Sequence, residues 1–591
     1  MKNKIITYLM IIISCLLWAV NVQSQESDVQ IVGKVLDQSG EPLMGVTILA
    51  KNQPGFGTTS DMDGNFKIKV GSYDVLVFKY IGFKDQEVPV LKVENPKKLV
   101  VTMADSAEEL GELVVTAAGL QRKETLTGAY TTVDVAQLKS PGVNLSNSLA
   151  GVVPGVIAQQ ISGEPGEDAS EFWIRGISTF GASQSALVLV DGIERSFNEI
   201  PVEDIESFSV LKDASATAIY GQRGANGVVL ITTKQGDRGQ VKINGKLGYS
   251  YDKRGKTPEY ANVDDYSLLA NEAKIARYQT PRYTDQEMDI IKYGLDPDLF
   301  PNIDWMDLML KDGASQYNAN VNFSGGGNQV TYFVSGGYTN QDGIYKTNDK
   351  ANKYNTNATY ERFNYRANIN MDLTKTTVLK VGIGGFLINR TSPGSSSGDI
   401  WGSLVDMTPL TMPRKYSNGL TPVHAGGGMS PETLMTQTGY RKIWRNKMET
   451  NIGFDQNLDF ITKGLNLSAV IAFDTENENT IIRSKHPELW RAETRRDSNG
   501  DLVMRRHSNA KLMTQESTTW GNKRYEGHIK IDYNTILAEN HRLGALAMAW
   551  MQDLSDTNLG SDIIASIPKR NLNYSGRFTY SYSDRYMAEF N

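Results

Sequence analysis

Apolar and polar residues alternate one for one in several separate stretches of the C-terminal half. Tyr317, Ala319, Val321 and Phe323 alternate with Asn318, Asn320, Asn322 and Ser324. Phe363, Tyr365, Ala367, Ile369 and Met371 alternate with Asn364, Arg366, Asn368, Asn370 and Asp372. Tyr525, Gly527, Ile529, Ile531 and Tyr533 alternate with Glu526, His528, Lys530 and Asp532. A period of two marks β-strands with one apolar and one polar face. A soluble sandwich would put the apolar face inside, whereas a membrane barrel puts it against lipid around a polar lumen. Connection lengths separate the two. Gly325–Asn328, Leu373–Thr376, Thr462–Gly464, Ala538–Asn540 and Ser583–Asp584 read as tight turns. Segments 252–315, 340–360, 389–446, 476–522 and 553–570 are long. Strict alternation of short and long connections fits periplasmic turns and extracellular loops, and a soluble sandwich has no reason for it. The pattern predicts an antiparallel transmembrane β-barrel over residues 237–591, with about eleven strands. Arg366, Asn368, Lys530 and Asp532 are expected to face the lumen, and Tyr365, Ile369 and Ile531 the lipid. Bacterial single-chain barrels close with even numbers of strands, and large ones with a filled lumen use 22, so about half a barrel is expected here, cut in its last strand at Tyr586–Asn591.

Shorter patterned runs precede this region. Within residues 25–105, alternating strands at Val29–Leu36, Gly45–Ala50, Phe66–Val70, Val75–Tyr80 and Lys98–Met103 have the spacing of a small β-sandwich. Asp63-Gly64 reads as a hairpin turn. Asp61 and Asp63 lack the further ligands and closing Glu of a calcium loop. Residues 106–120 form a hinge whose acidic start gives way to a compact extended run, Glu112, Leu113, Val114, Val115 and Thr116. Such a strand between domains can be captured by the sheet edge of a partner. Residues 121–236 read as a small mixed α+β domain. Strands are expected at Phe172–Ile177, Ala186–Val190, Ile205–Leu211 and Gly227–Thr233, and an Ala-rich helix at Ala214–Tyr220 stopped by Gly221. No phosphate loop follows Gly221, Gly224 and Gly227, because no Gly-Lys-Ser/Thr is present. Arg175 and Arg223, with Asp191, Asp213 and Glu206, suggest a salt-bridging network that holds the domain together.

These motifs carry a resemblance. VGKVLDQSGEPLMGVTI, TTSDMDGNF and VFKYIGFKDQEV resemble a carboxypeptidase-regulatory-like domain, and LGELVVTAAG looks like a TonB box. WIRGIST, ALVLVDGI and IESFSVLKDASATAIYGQRGANGVVLITTKQG resemble the plug of SusC/RagA TonB-dependent transporters almost residue for residue. The motif positions are Arg175, Gly176, Asp191, Gly192, Lys212, Asp213, Tyr220, Gly221, Arg223, Gly224, Asn226 and Gly227; Gln222 and Gly224 depart mildly from the usual small or Ala residues. The resemblance implies TonB-dependent import of a bulky nutrient, an oligosaccharide or peptide, across the bacterial outer membrane. It implies TonB with its inner-membrane energising complex, pairing at Glu112–Thr116, and a SusD-like surface lipoprotein. It also implies a plug and N-terminal domain on the periplasmic side. A siderophore or cobalamin receptor on the same architecture, and a non-transporting surface adhesin, stay open as alternatives.

Composition adds limits. Lys2, Lys4 and the apolar run Ile5–Val20, followed by Val22–Gln25, give residues 1–24 the order of a secretory signal. A lipid anchor at Cys15 and a retained membrane anchor are the competing readings. Cys15 is the only cysteine, so the exported chain has no disulfide, thiolate metal site or cysteine nucleophile. The net charge of −6 argues against nucleic acid as a partner. Gly394-Ser395-Ser396-Ser397-Gly398 matches a nucleophile-elbow pattern, but its composition reads as a mobile loop. His424, His486, His507, His528 and His541 lack metal-ligand spacing. Trp401, Trp444, Trp490 and Trp520 fall in or beside the long segments, where flat rings can stack on sugars or simply pack. Neither a cofactor nor an enzymatic activity is expected, and the ligand contacts are not legible.

Overall fold

The computed structural model describes residues 28–591 other than 38–39, 52–55, 73, 81–82, 84, 94, 104–112, 117–118, 123–128, 141, 178, 180–183, 348–353, 539, 558–563, 565 and 584. The expected signal at 1–24 and Glu112 therefore lie outside the described residues. The chain forms two compact units, one centred on the N-terminal domain and one holding the plug and the barrel wall.

The N-terminal domain contains β1 (Asp28–Leu36), β2 (Thr47–Ala50), β3 (Gly57–Thr59), β4 (Asn65–Gly71), β5 (Val75–Lys79), β6 (Gln86–Pro89) and β7 (Leu99–Thr102). Two sheets, β4-β1-β7 and β3-β2-β5-β6, make the expected sandwich. Along β4, Phe66, Ile68 and Val70 are buried while Lys67 and Lys69 are exposed. Phe66 meets Phe78 edge-on at 5.3 Å in the core. Asp63-Gly64 corrects one expectation: Gly64 has φ +75°, yet the strands it joins, β3 and β4, lie in different sheets. It is a corner between sheets and not a hairpin. Asp61 closes that corner by accepting from the Asn65 and Asp63 amides at 2.7 and 3.0 Å, which holds its carboxyl below the ordinary range.

In the second unit, β8 (Leu113–Thr116) pairs antiparallel with β9 (Gly119–Arg122), Leu113 opposite Arg122. The plug follows with β10 (Tyr130–Val133), β11 (Val156–Gln160), β12 (Ser170–Ile174), β13 (Leu187–Val190), β14 (Ile193–Glu194), β15 (Ile205–Leu211), α1 (Ala214–Thr217) and β16 (Val228–Thr233). Its main sheet runs β10-β15-β16-β13-β14, with β13 and β16 parallel. Asp191 and Gly192, at φ +52° and +82°, make the two-residue turn between β13 and β14. Left-handed backbone at both positions suits such a turn to the twist of its strands. The expected helix is α-helical only over Ala214–Thr217; a 3-10 run continues to Gly224, kinked at Gly221, which has φ +58° and ψ −140°.

The wall comprises β17 (Gly239–Lys253), β18 (Gly313–Gly326), β19 (Val330–Asp342), β20 (Thr359–Asp372), β21 (Thr377–Pro393), β22 (Gly439–Asn457) and β23 (Leu465–His486). A side hairpin, β24 (Leu489–Arg496) and β25 (Leu502–Ser508), precedes β26 (Lys511–Leu537), β27 (His541–Asp556), β28 (Lys569–Tyr582) and β29 (Tyr586–Phe590). Eleven strands, all but the side hairpin, form one sheet in chain order. Phe363, Tyr365, Ile529 and Ile531 are exposed on its outer face, while Arg366, Asn368 and Glu526 are buried behind it.

The long connections differ from expectation in extent. β23 has 22 residues and β26 has 27, where a tilted span needs roughly 9–11. Both ends of 476–522 are therefore ladder and not loop, whereas 389–446 is ladder only at 389–393 and 439–446. Lys511–Trp520 are exposed on both faces, so the polarity alternation vanishes although the backbone pairing continues. The first long connection carries α2 (Val263–Ile275), α3 (Asp285–Tyr293) and α4 (Trp305–Met309); the third carries α5 (Ser397–Asp406) and α6 (Pro431–Thr436). The Gly394–Gly398 stretch is thus a helix start, not a mobile loop. The Ser396 hydroxyl accepts from the Asp399 amide at 3.1 Å and donates to the Asp399 carboxylate at 2.6 Å.

Candidate functional site

The plug is bonded to the wall through buried charge. Arg195, directly after β14, has a side chain 1% exposed. Its Nε and Nη2 donate to both Asp474 carboxylate oxygens on β23 at 2.8 and 2.7 Å. Nη1 donates to Asn451 and Nη2 to the Thr450 carbonyl on β22, both at 3.3 Å. Glu449 on β22 lies 3.9 Å from Arg195, 3.8 Å from Arg366 and 2.9 Å from Lys447, so three cations balance one buried carboxylate. Burial of this kind is tolerated only with several partners in place. Arg366 also approaches Asp191 at 3.9 Å and Asp204 at 4.0 Å. Asn368 donates to Thr233 Oγ1 at 2.8 Å and to the Lys234 carbonyl at 2.7 Å.

The neighbouring Glu194 binds a different part of the wall. Its amide donates to Glu526 at 3.3 Å, and its carboxylate accepts from Gln552 at 3.1 Å. Arg223 pairs with Glu194 and lies 3.9 Å over the Trp550 ring, whose N–H donates to Glu526 at 3.0 Å. Adjacent residues at the end of β14 thus grip two regions of the wall.

Some expected plug partners meet and others do not. Arg175 pairs with Asp213, whose carboxylate also accepts from the Ala129 amide at 2.7 Å. The Ala129 bond and Arg175 hold that carboxyl below its ordinary range. Lys212 donates to the Pro154 carbonyl. Arg223 takes Glu194 and none of the three expected carboxylates. Asp191 instead accepts from the Thr233 amide and hydroxyl at 2.9 and 2.8 Å, because its turn folds back beside β16. Glu206 lines a cavity beneath the plug sheet. Asn226 is buried and donates to Thr179 at 3.1 Å, and Tyr220 packs on the Leu187 cluster. Arg175 and Gly176 form a left-handed corner at φ +56° and +96°. Gly227 must be glycine on two counts: its φ is +88°, and a Cβ there would sit 2.8 Å from Ile174. Arg195, Glu449 and Asp474 went unnoticed in the sequence. The acids sit on the polar face of their strands, but nothing local pairs them with an arginine more than 250 positions away.

Cavities lie on both sides of this bonded layer. On the side of the tight turns, a cavity of about 500 Å³ is lined by Asp191, Gly192, Asn368, Lys380, His528 and Lys530. On the side of the long connections, volumes of about 540 and 620 Å³ share Gly163, Asp252, Gln341, Ile344 and Trp401 in their walls. Arg390 on β21 fixes the adjoining plug loop through Glu164 at 3.2 Å and through Glu167. The loops around the outer chamber share a core. Trp305, Met306 and Met309 of α4 pack with Ile400 and Leu404 of α5 and Met435 of α6. Arg496 of the side hairpin donates to both Asp296 oxygens at 2.7 Å and to Asp298 at 3.1 Å. Asp298 in turn accepts from the Ser417 amide and hydroxyl at 2.8 and 2.7 Å.

Of the four tryptophans singled out, Trp401 alone lines the outer chamber. Trp444 and Trp520 are exposed on β22 and β26, and Trp490 lies under Arg506 at 5.9 Å. His528 faces the inner cavity, and His541 meets the Tyr580 hydroxyl at 2.9 Å. Among the described residues no group of three or more His, Cys, Asp or Glu is arranged to hold a metal, and no helix is long and apolar enough to cross a membrane.

Residues 122–228 match the TonB-dependent Receptor Plug Domain, and residues 31–115 match the CarboxypepD_reg-like domain. TonB-dependent receptor P26 of Formosa agariphila is 29% identical over 94% of this chain and 55% of its own length. TonB-dependent receptor SusC of Bacteroides thetaiotaomicron is 33% identical over 59% of this chain and 33% of its own length. Among solved structures, the RagAB peptide importer in its open-open state superposes with a TM-score of 0.60 at 22% identity, covering 80% of this chain and 54% of that one. The chain spans about half the length of the curated relatives that it matches along most of its own length. It has the architecture of a TonB-dependent receptor of the SusC/RagA type, as its plug motifs implied. The eleven-stranded sheet is the wall of a bacterial outer-membrane β-barrel, with the plug on the periplasmic side.

Proposed function

We propose that the whole protein imports a bulky nutrient across the outer membrane, driven by TonB, and captures it with a SusD-like lipoprotein at the cell surface. The cargo class is an oligosaccharide or a peptide, and no chemistry is performed on it. The observation that carries this reading is the folded plug bonded into the wall by Arg195, Asn368 and Glu194. A lumen filled in this way passes no large solute by diffusion, so part of the plug must move. The chain offers no nucleotide loop to power that movement. The extended strand Leu113–Thr116 ahead of the plug suits backbone pairing with a partner that supplies the force.

Residues 16–591 contain no cysteine, so a pair introduced there has no competing thiol within this span. A Thr233→Cys, Asn368→Cys pair in the full-length protein tethers plug to wall where the two side chains already touch. Oxidised cells are expected to stop TonB-dependent uptake and recover it on reduction. Uptake that continues with the tether closed would refute a moving plug in this region.

A further inference from the structure

The side hairpin outside the membrane carries a cluster of cations that its own fold does not use. β24 and β25 pair so that Arg491 stands directly opposite Arg505. Residues opposite each other in an antiparallel pair have Cβ atoms about 4.5–5.5 Å apart, and like charges placed there cost stability. Both side chains are exposed. Among the described residues neither has a carboxylate partner: Arg491 Nη1 reaches only the Ala425 carbonyl, at 3.5 Å, and Arg505 forms no ion pair. The nearby acids serve other groups. Glu488 lies 3.8 Å from Arg506, Asp296 and Asp298 hold Arg496, and Asp497 accepts from the Asn499 and Asp501 amides in the hairpin turn. Glu493, further along β24, pairs with neither arginine. The surroundings are held in place. The Val423 amide donates to the Trp490 carbonyl at 3.0 Å, the Trp490 amide to the Thr421 carbonyl at 2.9 Å, and the Ala492 amide to the Tyr416 hydroxyl at 3.0 Å. These bonds seat β24 beside the turn Ala425–Gly428, and two imidazoles border the same turn. His424 Nδ1 accepts from the Gly426 amide at 3.2 Å, which leaves Nε2–H as a donor. The His507 ring lies 3.5 Å from where a Cβ on Gly427 would stand, and Gly427 has φ +86°.

We propose that Arg491, Arg505, His424 and His507 bind a phosphate group, either the free ion or a phosphate monoester on the glycolipid of the outer leaflet. Two arginines held face to face without an acid are relieved by an anion that both can grip. Guanidinium forks match the oxygens of phosphate two at a time. A phosphate monoester approaches two negative charges and balances the pair, whereas a carboxylate balances only half of it. Glycines in the turn leave the anion room beside the backbone. None of the four residues lines the inner cavity or the outer chamber, so the site is separate from the cargo path and does not depend on the import reading.

The experiment uses the full-length protein in detergent micelles and phosphate-free buffer. Sodium phosphate is titrated by calorimetry against sodium chloride at matched ionic strength, which removes plain screening as an explanation. Saturable binding of phosphate is expected. Arg505→Ala is expected to weaken it roughly tenfold or more, and Arg505→Lys, which keeps the charge and loses the fork, about threefold. Arg495→Ala takes the same charge from the same hairpin and is expected to change nothing. Arg505→Ala also ends the repulsion, so its melting temperature should not fall, and lost binding cannot then be read as lost fold. A second arm passes the protein over surfaces coated with lipopolysaccharide, before and after treatment with alkaline phosphatase. Retention that needs both the phosphate and Arg505 supports the site with the glycolipid as its ligand. Saturable phosphate binding without retention supports it with the free ion. Neither binding nor retention overturns the proposal. Equal weakening by Arg495→Ala and Arg505→Ala overturns it as well, because the hairpin would then act only as diffuse charge. A melting temperature lowered by Arg505→Ala at unchanged phosphate affinity would make the arginine pair structural and overturn it too.

Discussion

At the scale of single residues, buried charge decides how firmly the plug is seated. Arg195 satisfies Asp474 fully and shares Glu449, all three nearly free of solvent. Removing one partner of such a set leaves the others charged and unmatched, at a cost of about 3–5 kcal/mol. Arg195→Ala is therefore expected to free the plug. Thermolysin should cut within residues 121–236 of the variant in folded micelles while sparing the wild type, and equal resistance would show that the set is dispensable. Outside the membrane, the Arg496–Asp296 clamp gives a pH expectation. Hydrogen bonds from Arg496 hold the Asp296 carboxyl below its ordinary value of 3.8. A folded value below the unfolded one stabilises above the unfolded value, and that contribution is lost as pH falls through the folded one. The side hairpin β24–β25 should keep its protection from pH 8 down to 5 and lose it below about 4. Amide exchange of residues 489–508 across that range measures this; protection lost already between pH 7 and 5 would point to another group.

At the scale of elements, the sheet tests its own sidedness. Ile471 on β23 is 71% exposed on the outer face, and Val470 beside it lines the inner cavity. The two sit at the same depth with opposite orientation. Ile471→Arg is expected to cost about 2–4 kcal/mol in lipid, and Val470→Arg under about 1. Comparable losses in urea unfolding from vesicles would reverse the facing. The strand count and tight turns were legible because alternation between lipid and lumen writes period two into the chain, and turns interrupt it. The reach of β23 and β26 was not, because outside the membrane both faces are wet and nothing marks them as different. The outer helices escaped notice for a related reason. The apolar residues of α4, α5 and α6 are few and meet only across separate loops. The plug motifs were legible at their glycines and at Arg175–Asp213, whereas the partners of Arg223 and Arg195 depend on how plug and wall come together. Trp401 was visible as a residue, but its place in a chamber wall depends on loops that meet only in the fold.

At the scale of the whole molecule, the layout sets where force would act. Leu113–Thr116 lies just ahead of β10, an edge strand of the plug sheet held through Tyr130–Val133 against Phe208–Leu211. The far end of that sheet, β13 and β14, leads into Glu194 and Arg195, which grip the wall. A pull from the N-terminal side would therefore peel β10 before it reached the bonded hairpin. Under the proposed coupling, residues 113–116 would pair through their backbone N–H groups, and proline has none. Val115→Pro in the full-length protein is expected to abolish uptake, while Val115→Ala is mild. The hairpin with β9 complicates that comparison, since Val115 sits opposite Leu120 and Val114 opposite Gln121. Gln121→Pro supplies the control, because it disturbs the same hairpin without altering the box strand. It should leave uptake largely intact if the partner engages residues 113–116 directly. Binding of cargo at the outer face should survive in every variant, since none of the substituted residues lines the outer chamber. Growth on the transported nutrient and ligand affinity of the purified protein are read side by side. Normal growth with Val115→Pro would reduce this strand to a linker, and equal loss with Gln121→Pro would assign the effect to the hairpin and not to TonB.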